Sequence, residues 1–181
     1  MTEKELIEGC RKQNRKAQQM LYDRFAPVMF GVCKRYVRNR EDAEDVLVSG
    51  LYKVFKNIGQ FKDLGSFEGW VRRIIVNEAL MYLRKQHKHF ITDEIERASS
   101  KVTQVSVEDE LAAQDIIQLL NQLPTGYRTI FNLYVIEGYK HREIAEMLGI
   151  SINTSKSQLI LAKKRLQRLI GQPLEGKKMG H

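Results

Sequence analysis

The stretch HREIAEMLGISINTSKS, residues 141–157, decides how the rest of this chain is read. Ile144, Ala145 and Leu148 recur at helical spacing, which predicts a short helix from His141 to Leu148 with those three side chains inward. Gly149 supplies the backbone freedom for a turn. Ser151 is placed to cap a second helix, which Leu159, Ala162, Leu166 and Leu169 hold down. Ala145 lets the two helices approach, and Ile150 plugs the angle between them. This is a helix-turn-helix pattern, in which the second helix enters the major groove and its early residues reach base edges.

Asn153, Ser157, Ile160 and Lys164 point away from the apolar stripe, with Lys156 on its flank. Asn can bond adenine edges, and Lys can bond guanine or phosphate. Arg142, Lys163 and Arg168 are suited to phosphates, which fix register without reading sequence. The plain alternative is a helical hairpin whose basic face is solvated. Cap, turn and basic excess agree on DNA instead.

Working back from this stretch, Pro124 marks the first turn of a preceding helix that carries Tyr127, Ile130, Phe131, Tyr134 and Val135 and stops at Gly138. Ser106 with Asp109 starts helical structure that runs through Leu119, Leu120 and Leu123. Before it, from His87 to about Val105, periodicity fades and large apolar residues run out, as in a flexible linker. The expected domains are 1–90, a linker at 91–105, 106–172, and a tail at 173–181.

The N-terminal part is helical as well. Thr2 and Glu5 form a capping box that opens a first helix. Tyr22, Phe25, Met29, Val32 and Tyr36 stripe a longer one, which Pro27 should kink or split. Asn39 caps a third helix, with Ala43, Leu47, Leu51, Val54 and Ile58 inward and Asp45, Ser49, Tyr52 and Lys56 opposite. Gly59 to Gly65 is a loop. Ser66 then caps a helix from Phe67 to Gln86, with Phe67, Val71, Ile74 and Ile75 inside and Arg73, Asn77 and Arg84 on an outer stripe. The fold class is therefore all-α: two small helical domains joined by a flexible linker.

Composition narrows the function. The 181 residues hold 30 Lys plus Arg against 22 Asp plus Glu, a net charge of +8 that suits a polyanion partner. No apolar run approaches the roughly 20 residues that cross a bilayer, so no membrane insertion is expected. The start, Met1-Thr-Glu-Lys-Glu, has neither the basic nor the apolar segment of a secretion signal, and the expected location is cytoplasmic. Cys10 and Cys33 form no CxxC pair, which favours reduced thiols, and His87 and His89 lack Cys partners for a metal site. No GxxxxGK[ST] loop, HExxH motif or nucleophile elbow occurs, so no catalytic residues, cofactor or small-molecule substrate are expected.

With both halves in view, the chain resembles the bacterial extracytoplasmic-function (ECF) sigma factors of the sigma-70 family. The resemblance is carried by Asp42-Ala-Glu-Asp-Val-Leu, Lys53-Val-Phe-Lys-Asn-Ile, Phe61, Ser66-Phe-Glu-Gly-Trp-Val-Arg-Arg-Ile-Ile-Val-Asn and Glu143-Ile-Ala-Glu-Met-Leu-Gly-Ile-Ser. It spans the chain from the first helix to about Leu169. It implies a region 2-like bundle and a region 4-like helix-turn-helix domain that bind core RNA polymerase and promoter DNA and initiate transcription.

By the same resemblance, Asp42, Glu44 and Asp45 lie in the helix that docks on the polymerase clamp, although Asp42 can equally serve the helix dipole. Phe61, Lys62, Arg73 and Asn77 match positions around the minus-ten strand. Phe61 fits either a stacking platform or the core, and Trp70 fits the core. Lys156 and Ser157 match residues that contact the minus-thirty-five element, beside Thr154, which supports the helix start. An anti-sigma partner is implied too.

Two places depart from the family pattern. Val48-Ser49 stands where the family places Gln and an acidic residue, and Ile160-Leu161 stands where it often places Ser or an aromatic, then Arg. Either departure can weaken polymerase or DNA contacts. The rival classes are a dimeric helix-turn-helix regulator, a nuclease and a pure polymerase-binding module.

Overall fold

The computed structural model describes residues 1–86 and 113–171. The linker expected at 91–105, the helix start expected at Ser106 and Asp109, and the tail at 173–181 lie outside the described residues. The described residues form eight α-helices and no strand, the all-α class read from the sequence. The chain divides into two compact units, residues 1–86 and 87–181.

The N-terminal unit contains α1 (Glu3–Arg11), α2 (Arg15–Tyr36), α3 (Arg40–Asn57), a short 3-10 turn (Ile58–Gln60) and α4 (Phe67–Gln86). Its helix starts are written in local chemistry. Thr2 and Glu5 close a reciprocal capping box. Asn39 accepts from the Asp42 N–H at 3.0 Å, and Ser66 Oγ accepts from the Gly69 N–H at 3.2 Å. The interior is apolar: Leu6 and Ile7 from α1, Phe25, Met29, Val32 and Tyr36 from α2, Leu51 and Val54 from α3, and Val71, Ile75 and Leu80 from α4 are all buried. Each such side chain contributes on the order of 1.5–3 kcal/mol on leaving water. Gly50 lets α3 and α4 pack closely, since a Cβ there would lie 2.5 Å from Ile75 Cδ1.

Two sequence expectations need correcting in α2. The helix is not split at Pro27; it runs continuously from Arg15 to Tyr36. The missing N–H costs about 3 kcal/mol in an isolated helix, and the buried residues on both sides of Pro27 hold the backbone against that cost. Tyr22 is not on the buried stripe. It is 43% exposed, and Leu21 takes the inward position with Ala17, Phe25 and Ala26. The cysteines are free and buried, and burial pushes the Cys33 thiol up to about 12.

The C-terminal unit contains α5 (Ala113–Asn121), α6 (Thr125–Phe131), α7 (His141–Leu148) and α8 (Ile152–Leu169). Pro124 is the residue before the first turn of α6 rather than within it. After Phe131 the chain widens into a π-helical turn, Asn132–Ile136, which the sequence reading treated as ordinary helix. Tyr134 and Val135 accordingly point outward, 38% and 46% exposed. Leu119, Leu120, Leu123, Tyr127, Ala162 and Leu169 pack as one core, with Phe131 and Leu166 against it.

Candidate nucleic-acid interface

The turn between α7 and α8 has the geometry its residues call for. Gly149 is left-handed at φ 65, ψ 37, a conformation that favours glycine, and its N–H donates to the Ala145 carbonyl. Ser151 Oγ accepts from the Thr154 N–H at 3.0 Å and shares a further hydrogen bond with the Thr154 hydroxyl at 2.8 Å. Thr154 therefore supports the helix start, as expected. Ile144 and Ala145 are buried beneath the turn, and Leu159 and Ala162 seat α8.

The opposite face of α8 is open. Asn153, Lys156, Ser157, Ile160, Lys163 and Lys164 are all exposed. Ser157 Oγ donates back to the Thr154 carbonyl at 3.1 Å. Lys156, Lys163 and Lys164 have no ion pair among the described residues. Arg142, on α7, pairs with Glu146 at 3.6 Å, both ends exposed, so a phosphate can displace that pair at little cost. Ile160 and Leu161 are 55% and 39% exposed, an apolar interruption of the basic face.

One contact here was not read from the sequence. His141, the first residue of α7, lies flat on Tyr134 of the π turn, ring centroids 4.4 Å apart. Its Nδ1 is 2.8 Å from Ser155 Oγ on α8, within a shared hydrogen bond. Burial, then the charges of Lys156 and Lys163, hold the imidazole below the usual histidine range. The pair spans the whole turn, so no local spacing rule reveals it.

The N-terminal unit presents two sets of exposed residues. On α3, Glu44, Asp45, Val48 and Ser49 are exposed, Val48 at 61%, with Tyr52 one turn on at 66%. Glu44 accepts from Arg40 Nε at 2.9 Å. Asp42 differs from them: its carboxylate accepts the Tyr82 hydroxyl of α4 at 2.7 Å, tying the two helices together. Burial, with the Asp42 hydrogen bond and the charges of Asp42 and Asp45, pushes the Tyr82 phenol up to about 12. Lys53 and Glu78 make a second link between α3 and α4.

Lys62, in the loop before α4, and Arg73 and Asn77, one turn apart on α4, are exposed and have no partner among the described residues. Phe61 is placed otherwise. Only 7% exposed, its ring packs edge-on against Phe67 at 5.1 Å and against Trp70 at 5.6 Å. Of the two roles open to Phe61, this structure gives the core one, and Trp70 joins it by stacking on Phe67. The Phe61 carbonyl accepts from Arg11 at 2.6 Å. Among the described residues no His, Cys, Asp and Glu side chains gather into a metal site, and no helix is long and apolar enough to cross a membrane.

Two helical units, one with a capped helix-turn-helix and an exposed row of lysines, have the architecture of a DNA-binding protein. Residues 21–89 match the family model "Sigma-70 region 2" and residues 113–166 match "Sigma-70, region 4". The chain is 30% identical over 132 residues to the RNA polymerase sigma factor SigV of Bacillus subtilis, covering 73% of this chain and 78% of that one. It is 26% identical over 186 residues to the ECF RNA polymerase sigma-E factor of Haemophilus influenzae, covering 96% and 97%. Its fold is shared with the sigma factor RpoE of Bartonella quintana, solved in complex with the anti-sigma factor NepR. The TM-score is 0.54 at 22% identity, over 83% of this chain and 94% of that one.

The chain belongs to the sigma-70 family, in its ECF group. Sigma factors are non-enzymatic initiation factors that bring RNA polymerase to promoters.

Proposed function

We propose that the two units divide promoter recognition between them, with residues 1–90 serving polymerase and the minus-ten element and residues 106–172 serving the minus-thirty-five element. α8 reads bases through Asn153, Lys156, Ser157, Ile160 and Lys164, while Arg142 anchors the adjoining phosphates. Ile160 offers no hydrogen bond, and its methyls suit a thymine methyl. The exposed side of α3, with Glu44, Asp45, Val48 and Ser49, docks on core polymerase; Asp42 supports that face through Tyr82. Lys62, Arg73 and Asn77 hold the opened minus-ten strand, and Phe61 supports that part of the unit from the aromatic core it shares with Phe67 and Trp70. Opening draws on binding energy for single-stranded DNA, with no bond chemistry by this chain. The protein works in the cytoplasm, and an anti-sigma protein covers it when it is inactive.

The observation that carries this reading is the lysine row on α8, exposed and without ion pairs beside a fully capped turn. A structural hairpin has no need of three unneutralised lysines there. The test is run-off transcription with purified core polymerase on a promoter library. Product that requires this chain is the expected result, and Lys156→Ala should weaken discrimination at the minus-thirty-five element by about 1–3 kcal/mol. Tight palindromic binding by the isolated chain, with no polymerase-dependent product, would favour a dimeric regulator instead.

A further inference from the structure

His141 joins three elements of the C-terminal unit. It begins α7, stacks on Tyr134 of the π turn at an interplanar angle of 19°, and bonds Ser155 of α8 at 2.8 Å. Ser155 is fully buried, and its neighbours in the chain are Thr154, taken up by the Ser151 cap, and Lys156, which faces solvent. Rotating α8 enough to re-aim Lys156 would therefore break the bond between Ser155 and His141.

The same imidazole sits in a positive field. The charged groups facing it from α8 are Lys156 and Lys163, and the π turn contributes the Tyr134 ring. Its own helix adds Arg142, paired with Glu146, and Glu143, whose carboxylate accepts from the Lys140 N–H at 2.8 Å. A helix N-terminus further disfavours a cationic ring.

Resting on the reading of α8 as the element that meets the minus-thirty-five site, we propose that His141 is a positioning residue for promoter recognition. It fixes the first turn of α8 through Ser155 and takes up a proton from solvent when DNA occupies that helix. In the free chain burial, then the charges of Lys156 and Lys163, disfavour the protonated ring. The negative potential of DNA seated on α8, at a base edge beside Lys156 and at the backbone beside Lys163, offsets that field, and the ring then binds a proton more tightly than before. A group whose proton affinity rises in the complex makes the complex more favourable as pH falls. The link to α8 survives protonation, because a cationic imidazole donates from Nδ1 to Ser155 Oγ.

The experiment uses holoenzyme assembled from the full chain and core polymerase. It compares binding to a promoter with its minus-thirty-five element intact against the same promoter with that element scrambled, between about pH 8 and about pH 6. The ratio of the two affinities should rise as pH falls, by no more than the about tenfold per pH unit that one proton allows. His141→Gln should give a lower ratio that does not change with pH. Ser155→Ala, which keeps the imidazole among its lysines, should lower the ratio yet keep the slope. The His141 titration, followed by NMR in the full chain with and without a minus-thirty-five duplex, should move upward on binding and reads the same coupling without a variant.

A preference for the intact element that is flat with pH, or a slope retained in His141→Gln, overturns this inference and leaves the reading of α8 standing. Absence of any preference at every pH removes both.

Discussion

The two units solve the same problem with opposite interiors. In the N-terminal unit every buried residue is apolar or aromatic, and polar links between helices, such as Tyr82 to Asp42 and Lys53 to Glu78, lie at its edges. In the C-terminal unit Thr125, Arg128, Thr129, Asn132, Ser155 and Gln158 are buried as well, and Arg128 is among the largest fully buried side chains of the chain. Apolar packing is strong and tolerant of small rotations, whereas a buried polar seam rewards one register and penalises others. A unit proposed to offer an exposed face to polymerase can rely on the former. A helix proposed to place Lys156 against a chosen base gains from the latter.

The sharpest way to break this contrast is to remove the centre of the apolar interior. Phe67 is 1% exposed and touches the rings of Phe25, Phe61 and Trp70. Phe67→Ala should destabilise the N-terminal unit by about 3–5 kcal/mol, seen as an earlier denaturant transition for that unit with the other unaffected. A loss under about 1 kcal/mol would mean that the aromatic cluster collapses around the gap and is not the keystone described.

A smaller effect is expected at the edge of the same unit. Tyr82→Phe removes the donor that Asp42 accepts, at a cost of about 1 kcal/mol. The pH dependence is the more telling readout. The phenol is raised in the folded state from 10.0 to about 12, so its contribution is present below the ordinary tyrosine value and is lost as pH rises through the folded one. Alkaline unfolding of the parent should therefore include a component between those values that Tyr82→Phe lacks. Ultraviolet titration of the parent should find a late phenol that Tyr82→Phe lacks. An unchanged late titration in Tyr82→Phe would break the link between α3 and α4.

What could be read from sequence alone follows the same division between local and distant causes. Thr2, Asn39, Ser66 and Ser151 announced their helices because a cap is settled within a single turn, and Phe67–Gln86 and His141–Leu148 emerged with the boundaries expected. Exposure of Asp45, Val48 and Ser49 and of the α8 face also followed from periodicity. The misses share one character. Tyr22 and Leu21 are neighbours that helical spacing alone ranks nearly alike, and packing against the other helices chose between them. The continuity of α2 through Pro27, the π turn after Phe131 and the contact of His141 with Ser155 depend on partners distant in sequence or across a turn, as does the core position of Phe61, which the sequence left open. Asp42, split at first between dipole and docking, turned out to hold Tyr82, a third role that needed α4 to be in place.

The finest test lies on the underside of the recognition helix. Gln158 is 1% exposed, and its Oε1 has no partner among the described residues. A buried amide oxygen left so costs about 1–3 kcal/mol, whereas an apolar chain of similar length costs nothing of the kind. Gln158→Met should therefore raise the thermal midpoint of the C-terminal unit by a few degrees, equivalent to about 1 kcal/mol or less. Promoter discrimination supplies the second readout. If the register of α8 is fixed by the other buried polar groups, Ser155 with its bond to His141 among them, the variant gains stability and reads the minus-thirty-five element as before. If discrimination falls while stability rises, the amide itself helps to set the helix for the proposed reading of DNA.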